Sequence, residues 1–368
     1  MSRYQLFVGP ASGSLPTQEV TIFDAWQLER NIDDGCTLVF TMPGNSPAGE
    51  ITEELSYDIW LYLDGSVDQR FRVLELQREW DEDGRQDVAV TAVCYRRIFA
   101  ARHLTTDLSF SGVSQGQILF DLIDHTQNLP GGDLGITIGD LGPNVPRVRN
   151  YEAGQNILEL AVNLSQIIGG LVWDVDENLE LQVSRFRDFP LRDQPIILGG
   201  NVRRLVKPSG AALFANAVLV SGDNEATVLE IKELANLSTD PRGRWERYQS
   251  FPSVVRQETL EEHADGLLVE ANSPTVVWEF EVDPVRFFGD SDYALGDFVQ
   301  LSDPSSGFVV AQILTQSVAQ TADGEVAVVY NAVQVRDYPL QWRFTPGTLQ
   351  WQDVDPSVTW ANASQIVL

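Results

Sequence analysis

Two cysteines, two lysines and three histidines in 368 residues are the scarcities that bound what this chain can be. Two thiols set no disulfide framework. Cys36 and Cys94 both fall on predicted strands and read as small buried apolar residues rather than as a bridge. His103, His125 and His263 lie in three separate contexts, so neither a zinc site nor a Ser-His-Asp constellation has support. A glycine-rich phosphate loop and a dinucleotide fingerprint are both missing. No stretch approaches the roughly 20 apolar residues of a membrane span, and the N-terminus has no basic segment followed by an apolar one; the expectation is a protein made and folded in the cytoplasm. Positive charge is scarce as well: 25 Lys plus Arg stand against 53 Asp plus Glu, a formal net charge of −28, and Lys207 and Lys232 are the only lysines. Proteins hold nucleic acid mainly by neutralising its phosphates, so unaided DNA binding is not expected. A solvated surface kept soluble by self-repulsion is the plainer reading of most of these carboxylates.

Candidate chemistry is correspondingly thin. Asp174, Asp176 and Asn178 open like a calcium loop, but Leu179 stands where that loop needs glycine and Arg185 where it needs its closing glutamate. Alternation on both sides favours a hairpin turn. Carboxylate pairs of the kind used in glycoside hydrolysis are easily found among 53 acids, and spacing in sequence says nothing of spacing in the fold. No catalytic, cofactor-binding or metal-ligating residue is assigned, no cofactor is expected, and the chain is read as not an enzyme.

What the sequence has in quantity is β patterning. Asp58 to Val93 reads as three strands joined by turns at Asp64-Gly65 and Asp83-Gly84, and Asp297 to Tyr330 repeats the plan with turns at Asp303-Pro304 and Asp323-Gly324. Asp-Gly between alternating apolar segments is a strong hairpin signal, because a type I′ turn needs positive φ at both central residues. An acidic residue opens the first strand of each copy, and both end in similar runs, VAVTAV from Val88 and VAVVY from Val326. Any two antiparallel meanders look somewhat alike; the shared order of strands and turns favours two copies of one β unit.

Taken in order, residues 1–101 form a first β domain of six or seven strands. Residues 102–190 form an α+β insert. In it Ser114-Gln115-Gly116-Gln117 has the form of a capping box, and Gln155 to Ile168 carries an apolar stripe at helical spacing before Gly169-Gly170. Residues 191–335 form a second β domain, with strands at Val202–Val206 and Ala217–Ser221, an exposed loop over Asp240–Tyr248, and an inserted loop and helix over about 236–272. Residues 336–368 make an extended arm in which Trp342, Trp351 and Trp360 recur every nine residues and Pro339, Pro346 and Pro356 forbid a continuous helix. Tryptophan is a common interface anchor; the arm either docks a partner or packs back on its own chain.

The order of a β domain, a helix-containing insert running into Trp173-Asp174-Val175-Asp176, the segment Phe214-Ala215-Asn216-Ala217-Val218-Leu219-Val220-Ser221-Gly222, and Leu295-Gly296-Asp297-Phe298-Val299-Gln300-Leu301 resembles the baseplate hub proteins of long-tailed phages, also described as tail-associated lysin platforms or minor tail proteins. The resemblance covers about residues 1–335. It implies two tube-protein-like β-barrel domains flanking the insert, and a homotrimer at the virion tail tip that encloses the DNA passage. It also implies a distal tail ring or tail tube protein above, the tape measure C-terminus within, and a fibre, receptor-binding or lysin protein below, for which the Trp342, Trp351 and Trp360 arm is the candidate dock. A tail-associated peptidoglycan hydrolase or a host-glycan-binding tail protein is the alternative.

Overall fold

Twelve strands whose apolar residues fall at every second position assemble into one curled antiparallel sheet. The computed structural model describes residues 4–335 apart from 12, 14, 21–24, 143–144, 166–170, 186–188, 193, 208–213, 223–229, 252–253, 255, 273–275, 283–292, 304–306 and 321–325. The first module contains β1 (Tyr4–Pro10), β2 (Gln18–Val20), β3 (Trp26–Asn31), β4 (Gly35–Pro43), the short helix α1 (Pro47–Ile51), β5 (Tyr57–Leu63), β6 (Ser66–Trp80), β7 (Gln86–Cys94) and α2 (Tyr95–Ile98). The insert follows with β8 (Leu108–Ser114), α3 (Gln115–Gln127), β9 (Thr137–Ile138), β10 (Pro146–Tyr151), α4 (Ile157–Ser165), β11 (Leu171–Val175) and β12 (Glu180–Arg185). The second module contains β13 (Val202–Val206), β14 (Ala217–Ser221), β15 (Glu230–Glu233), β16 (Glu246–Ser250), α5 (Gln257–Ala271), β17 (Val277–Val282), β18 (Phe298–Asp303), β19 (Gly307–Gln320) and β20 (Val326–Gln334).

The two modules share one ladder plan. Strand order is β3-β4-β7-β6-β5 in the first and β13-β17-β20-β19-β18 in the second. Asp58 faces Arg72, Val73 faces Ala92 and Phe40 faces Val90. In the second module Phe298 faces Gln312, Ile313 faces Ala332 and Phe280 faces Tyr330. Every member of these pairs lies 240 residues on from its counterpart. Even the bulge repeats: the ladder skips Leu74 between Val73 and Glu75, and Leu314 between Ile313 and Thr315. A bulge sets local twist and bend, so both long strands bend at the same point. The matching runs noticed in the sequence are two residues out of this register, since Val88 corresponds to Val328 and not to Val326. A slip of two preserves the face each side chain occupies, which is why the eye accepts it.

Between β13 and β17 the second module departs from the first. Where β3 turns directly into β4 at Asp33-Asp34-Gly35, the second module inserts a sheet of order β15-β14-β16 with α5 across one face. Val218, Val220, Phe251, Leu260, Ala264 and Leu267 give it a core of its own. Ala217–Ser221 therefore belongs to this extra sheet and not to the barrel-like one, and its third strand, Glu246–Ser250, takes in the last three residues of the stretch read as a loop, Asp240–Tyr248. A hairpin turn accepts such an insertion because its two ends are already adjacent.

The insert after residue 101 packs around Ile118, Leu122, Leu160, Leu164, Trp173 and Leu181. α3 starts where the Ser114 hydroxyl accepts the Gln117 backbone N–H at 3.3 Å. The reciprocal half of a capping box is not made, for the Gln117 side chain donates instead to Asp121 at 2.7 Å. Gly169-Gly170, the turn at Asp323-Gly324 and the arm at 336–368 lie outside the described residues.

Candidate functional site: a seam and an uncovered face

The two modules are not separate bodies. β3 of the first pairs antiparallel with the distal half of β19 of the second, from Thr315 opposite Asn31 to Gln320 opposite Trp26. On the core side one apolar row runs through six strands across this seam, Val328–Val318–Leu28–Leu38–Ala92–Val73, none more than 4% exposed. Burying such side chains contributes roughly 1.5–3 kcal/mol each, so the seam is as much core as either module.

A polar row lies beside it. Arg30 on β3 donates to the Gln316 side chain on β19 at 2.8 Å and pairs with Asp68. Gln316 donates to the Tyr330 hydroxyl at 2.9 Å, and the Trp26 indole donates to Gln320 at 2.6 Å. Beyond Arg30 stand the two cysteines, buried and free, with the Cys36 backbone N–H on the Cys94 sulfur at 2.9 Å. A side-chain hydrogen bond with Cys94 and the loss of water push the Cys36 thiol well above its ordinary value, which suits a structural thiol and not a nucleophile.

Where both modules meet the β11–β12 hairpin, a cleft of about 390 Å³ opens between Arg30, Asp68, Asp174, Asp176, Glu177 and Tyr293. The segment once readable as a calcium loop is a turn: Asp176 accepts the backbone N–H groups of Asn178 and Glu180, each at 2.9 Å. Burial raises the Asp174 carboxyl, and Arg96 opposes the rise. Among the described residues no three His, Cys, Asp or Glu side chains are placed to hold a metal ion, and no helix is long and apolar enough to cross a membrane.

Two arginine clusters fix the scaffold. Asp58 on β5, wholly buried, accepts from Arg70 at 2.6 Å, Arg72 at 2.5 Å and the Tyr95 hydroxyl at 2.5 Å, tying β5, β6 and α2 together. Its near-counterpart Asp297 lies just before β18 and is held by Arg192 and by the Ala294 N–H at 2.7 Å. Arg96 on α2 donates to the carbonyls of Ile32 and Asp33 in the first module and of Trp173 in the insert, with its guanidinium 4.7 Å from the Trp173 ring. Sequence reasoning missed Arg30, Gln316 and Arg96. The one available signal was a polar residue at the core-facing end of an apolar alternation, as in Trp26-Leu28-Arg30.

Burial and the charge on Asp58 push the Tyr95 hydroxyl up to about 12. The unfolded tyrosine titrates near 10, so the stabilisation is full below pH 10 and is lost as pH rises through 12. The loss amounts to roughly 2–3 kcal/mol. Alkaline unfolding followed by tyrosinate absorbance should show this, and Tyr95→Phe should flatten stability between pH 10 and 12; an unchanged profile would count against the linkage.

On the opposite face of the sheet two rows of exposed or half-buried residues cross the seam, Ala327–Ala319–Gln27–Val39–Thr91–Glu75 and Glu281–Val329–Ser317–Glu29–Thr37; past Thr37 the face is covered, with Val93 buried and Arg72 paired to the buried Asp58. Small, neutral and acidic residues fill both. Arg204 flanks Glu281 at the sheet edge and Arg97 reaches Thr37 at the margin. Trp342, Trp351 and Trp360 lie outside the described residues.

A mainly β chain in which two equivalent units form one curled sheet, with an α+β insert between them, has the fold of phage tail proteins. No protein-family model matches the sequence, and no curated protein does. Among solved structures the chain resembles a tail protein from Neisseria meningitidis MC58 (TM-score 0.63, 10% identity, 90% of this chain and 97% of that one). It also resembles the 43 kDa tail protein of prophage MuSo2 from Shewanella oneidensis (0.63, 12%, 89% and 98%). A third is the E. coli c3393 protein, described as a component of the type VI secretion system with structural similarity to the T4 tail proteins gp27 and gp5 (0.55, 8%, 90% and 77%). At these identities the likeness is one of fold.

Proposed function

We propose that the chain is a structural baseplate hub protein at the tip of a viral tail, where three copies form a ring that joins the sixfold tube or distal tail ring to threefold tip proteins. The observation that carries this reading is the repeated ladder register on both sides of an in-chain seam. One chain presents two equivalent sheet segments side by side, so three chains present six, and a threefold ring then meets a sixfold tube without a mismatch. The exposed rows across the seam support the same reading. Small and acidic residues lining a bore let DNA pass without adhering, since phosphates meet repulsion there instead of ion pairs. The tape measure C-terminus would occupy that bore before ejection, and the arm with Trp342, Trp351 and Trp360 would hold a fibre, receptor-binding or lysin protein below.

Mass measurement of the purified protein, alone and mixed with tail extract, tests the proposal. The expected species has three times the 40.9 kDa of one chain, and removal of residues 336–368 should leave a three-chain species of correspondingly smaller mass while releasing the lower partner. A single-chain mass under both conditions would sink the ring.

A further inference from the structure

Three buried hydrogen-bond donors on one face of β10 find no acceptor among the described residues. Period two along the strand puts Arg147, Arg149 and Tyr151 on the same face, and the Arg147 Nε, the Arg149 Nη2 and the Tyr151 hydroxyl are each buried without a hydrogen-bond partner. Arg149 and Tyr151 are both 2% exposed. Packing fixes the Tyr151 ring: it faces Leu108 across the ladder, meets the Phe110 ring edge-on at 5.9 Å and belongs to the core of the insert. Arg149, opposite Phe110, donates through Nη1 to the carbonyl of Val148 at 3.1 Å. Turning its Nη2 onto the Tyr151 oxygen would still leave the hydroxyl hydrogen and the Arg147 Nε without an acceptor, so the shortage does not hang on one torsion.

Negative charge is short here as well. The acid paired on this face is Glu262 of α5, which takes Arg147 at 3.2 Å. Burial brings the Arg149 guanidinium down from its ordinary value and the charge on Arg147 adds to that, while Tyr151 and Glu262 oppose it. Two guanidiniums thus share one carboxylate. A buried cation without a counter-ion is costly, and buried donors in folded proteins nearly always meet an acceptor. A water would supply lone pairs but no charge; an anion supplies both.

We infer that the Arg147–Arg149–Tyr151 face of β10 binds a small oxyanion, a phosphate or a carboxylate, at the joint between the insert and α5. Guanidinium N–H groups meet the oxygens of such groups in pairs, and the phenol hydroxyl adds a further donor. The three donor atoms have no contact with water, which suits a small enclosed ion more than a partner's side chain laid on the surface. Glu262, with its side chain 48% exposed against 14% for Arg147, stands at the rim and competes for the same donors. Its carboxylate is the ligand's built-in rival. The site is independent of the ring reading. A chain with 53 acids and 25 basic residues repels anions in general, so uptake of one cannot be put down to a basic surface.

Thermal unfolding of the full chain in rising phosphate or acetate, at constant ionic strength set with chloride, tests the site. One of the two should raise the midpoint in a saturable way, because a ligand of the folded state shifts the equilibrium toward it; which one does so tells the preferred oxyanion. E262A removes the rival acid and should bind that anion roughly threefold more tightly. Y151F should bind it about tenfold more weakly. R149M, which fills a similar volume without a charge, should lose the response. A midpoint equally sensitive in R149M and the parent overturns the proposal. Insensitivity to both anions in the parent and in E262A overturns it too, and leaves water as the occupant. Should R149M not fold, an undiminished response in Y151F serves as the refutation.

Discussion

Asp58→Ala is expected to destabilise the protein by about 3–5 kcal/mol, the typical cost of removing one partner from a buried ion cluster. The carboxylate has no exposure to water, and Arg70 and Arg72 donate to its two oxygens at 2.6 and 2.5 Å. Removing it leaves two guanidiniums close together, with Arg70 itself buried, and strands the Tyr95 hydroxyl donor that also ends on Asp58. Arg70 would keep its bonds to the carbonyls of Ala11 and Gly13, so the charge cannot easily swing out to water. Asp58→Asn retains one acceptor and should cost less. A triple replacement of Asp58, Arg70 and Arg72 by apolar residues of similar volume should cost less than Asp58→Ala, because the penalty lies in the unpaired charges more than in the lost bonds. Urea unfolding of the three variants gives the ranking, and an Asp58→Ala midpoint within experimental error of the parent would refute the account.

How far the sequence announced all this differs from element to element. The Asp64-Gly65 and Asp83-Gly84 turns, with φ of 49° and 86° at the first and 78° at Gly84, mark hairpins by local chemistry alone. The repeated three-strand plan is legible for that reason. Its register is not, because period-two patterns match equally well at every even slip, and only the ladders show that Val88 corresponds to Val328. Ala217–Ser221 reads correctly as a strand, yet its membership in the extra sheet with β15 and β16 has no local signal. Sheet membership is a long-range fact.

The seam is the clearest case. Nothing in Trp26–Asn31 announces Thr315–Gln320, nearly 290 residues away, as its neighbour. Both segments show ordinary alternation, and the polar partners Arg30 and Gln316 look like surface residues until they face each other. The acids that open the two copies show the same limit. Asp58 sits on the ladder while Asp297 precedes it by one position and caps the turn at Ala294. Each is buried, and each has found arginine, Asp58 from β6 and Asp297 from the segment between β12 and β13. A buried carboxylate needs a cation, and the duplicated scaffold meets that need in two ways.

Arg96→Ala is the substitution expected to uncouple the insert from the twelve-stranded sheet, at a cost of about 3 kcal/mol. One side chain, 5% exposed, joins the two bodies by donating to Ile32 at 2.6 Å, to Trp173 at 2.8 Å and to Asp33, while lying over the Trp173 ring. Truncation leaves carbonyls on both sides without their donor. Hydrogen exchange should then quicken at least tenfold in β11 and β12, while amides of the β3–β19 ladder keep their protection. Loss of protection in both places would mean general unfolding and would count against Arg96 as the tie between the two bodies. The pH dependence gives a second readout. Burial raises Asp174 and Arg96 holds that rise down, so without Arg96 the folded carboxyl titrates higher still. A folded value above the unfolded one contributes stability that is present at low pH and lost as pH rises through it. The variant should accordingly be closest to the parent near pH 4 and fall further behind toward neutrality. Arg96→Lys, which restores the charge but not the planar fork, should recover the pH profile while leaving β11 exchange fast.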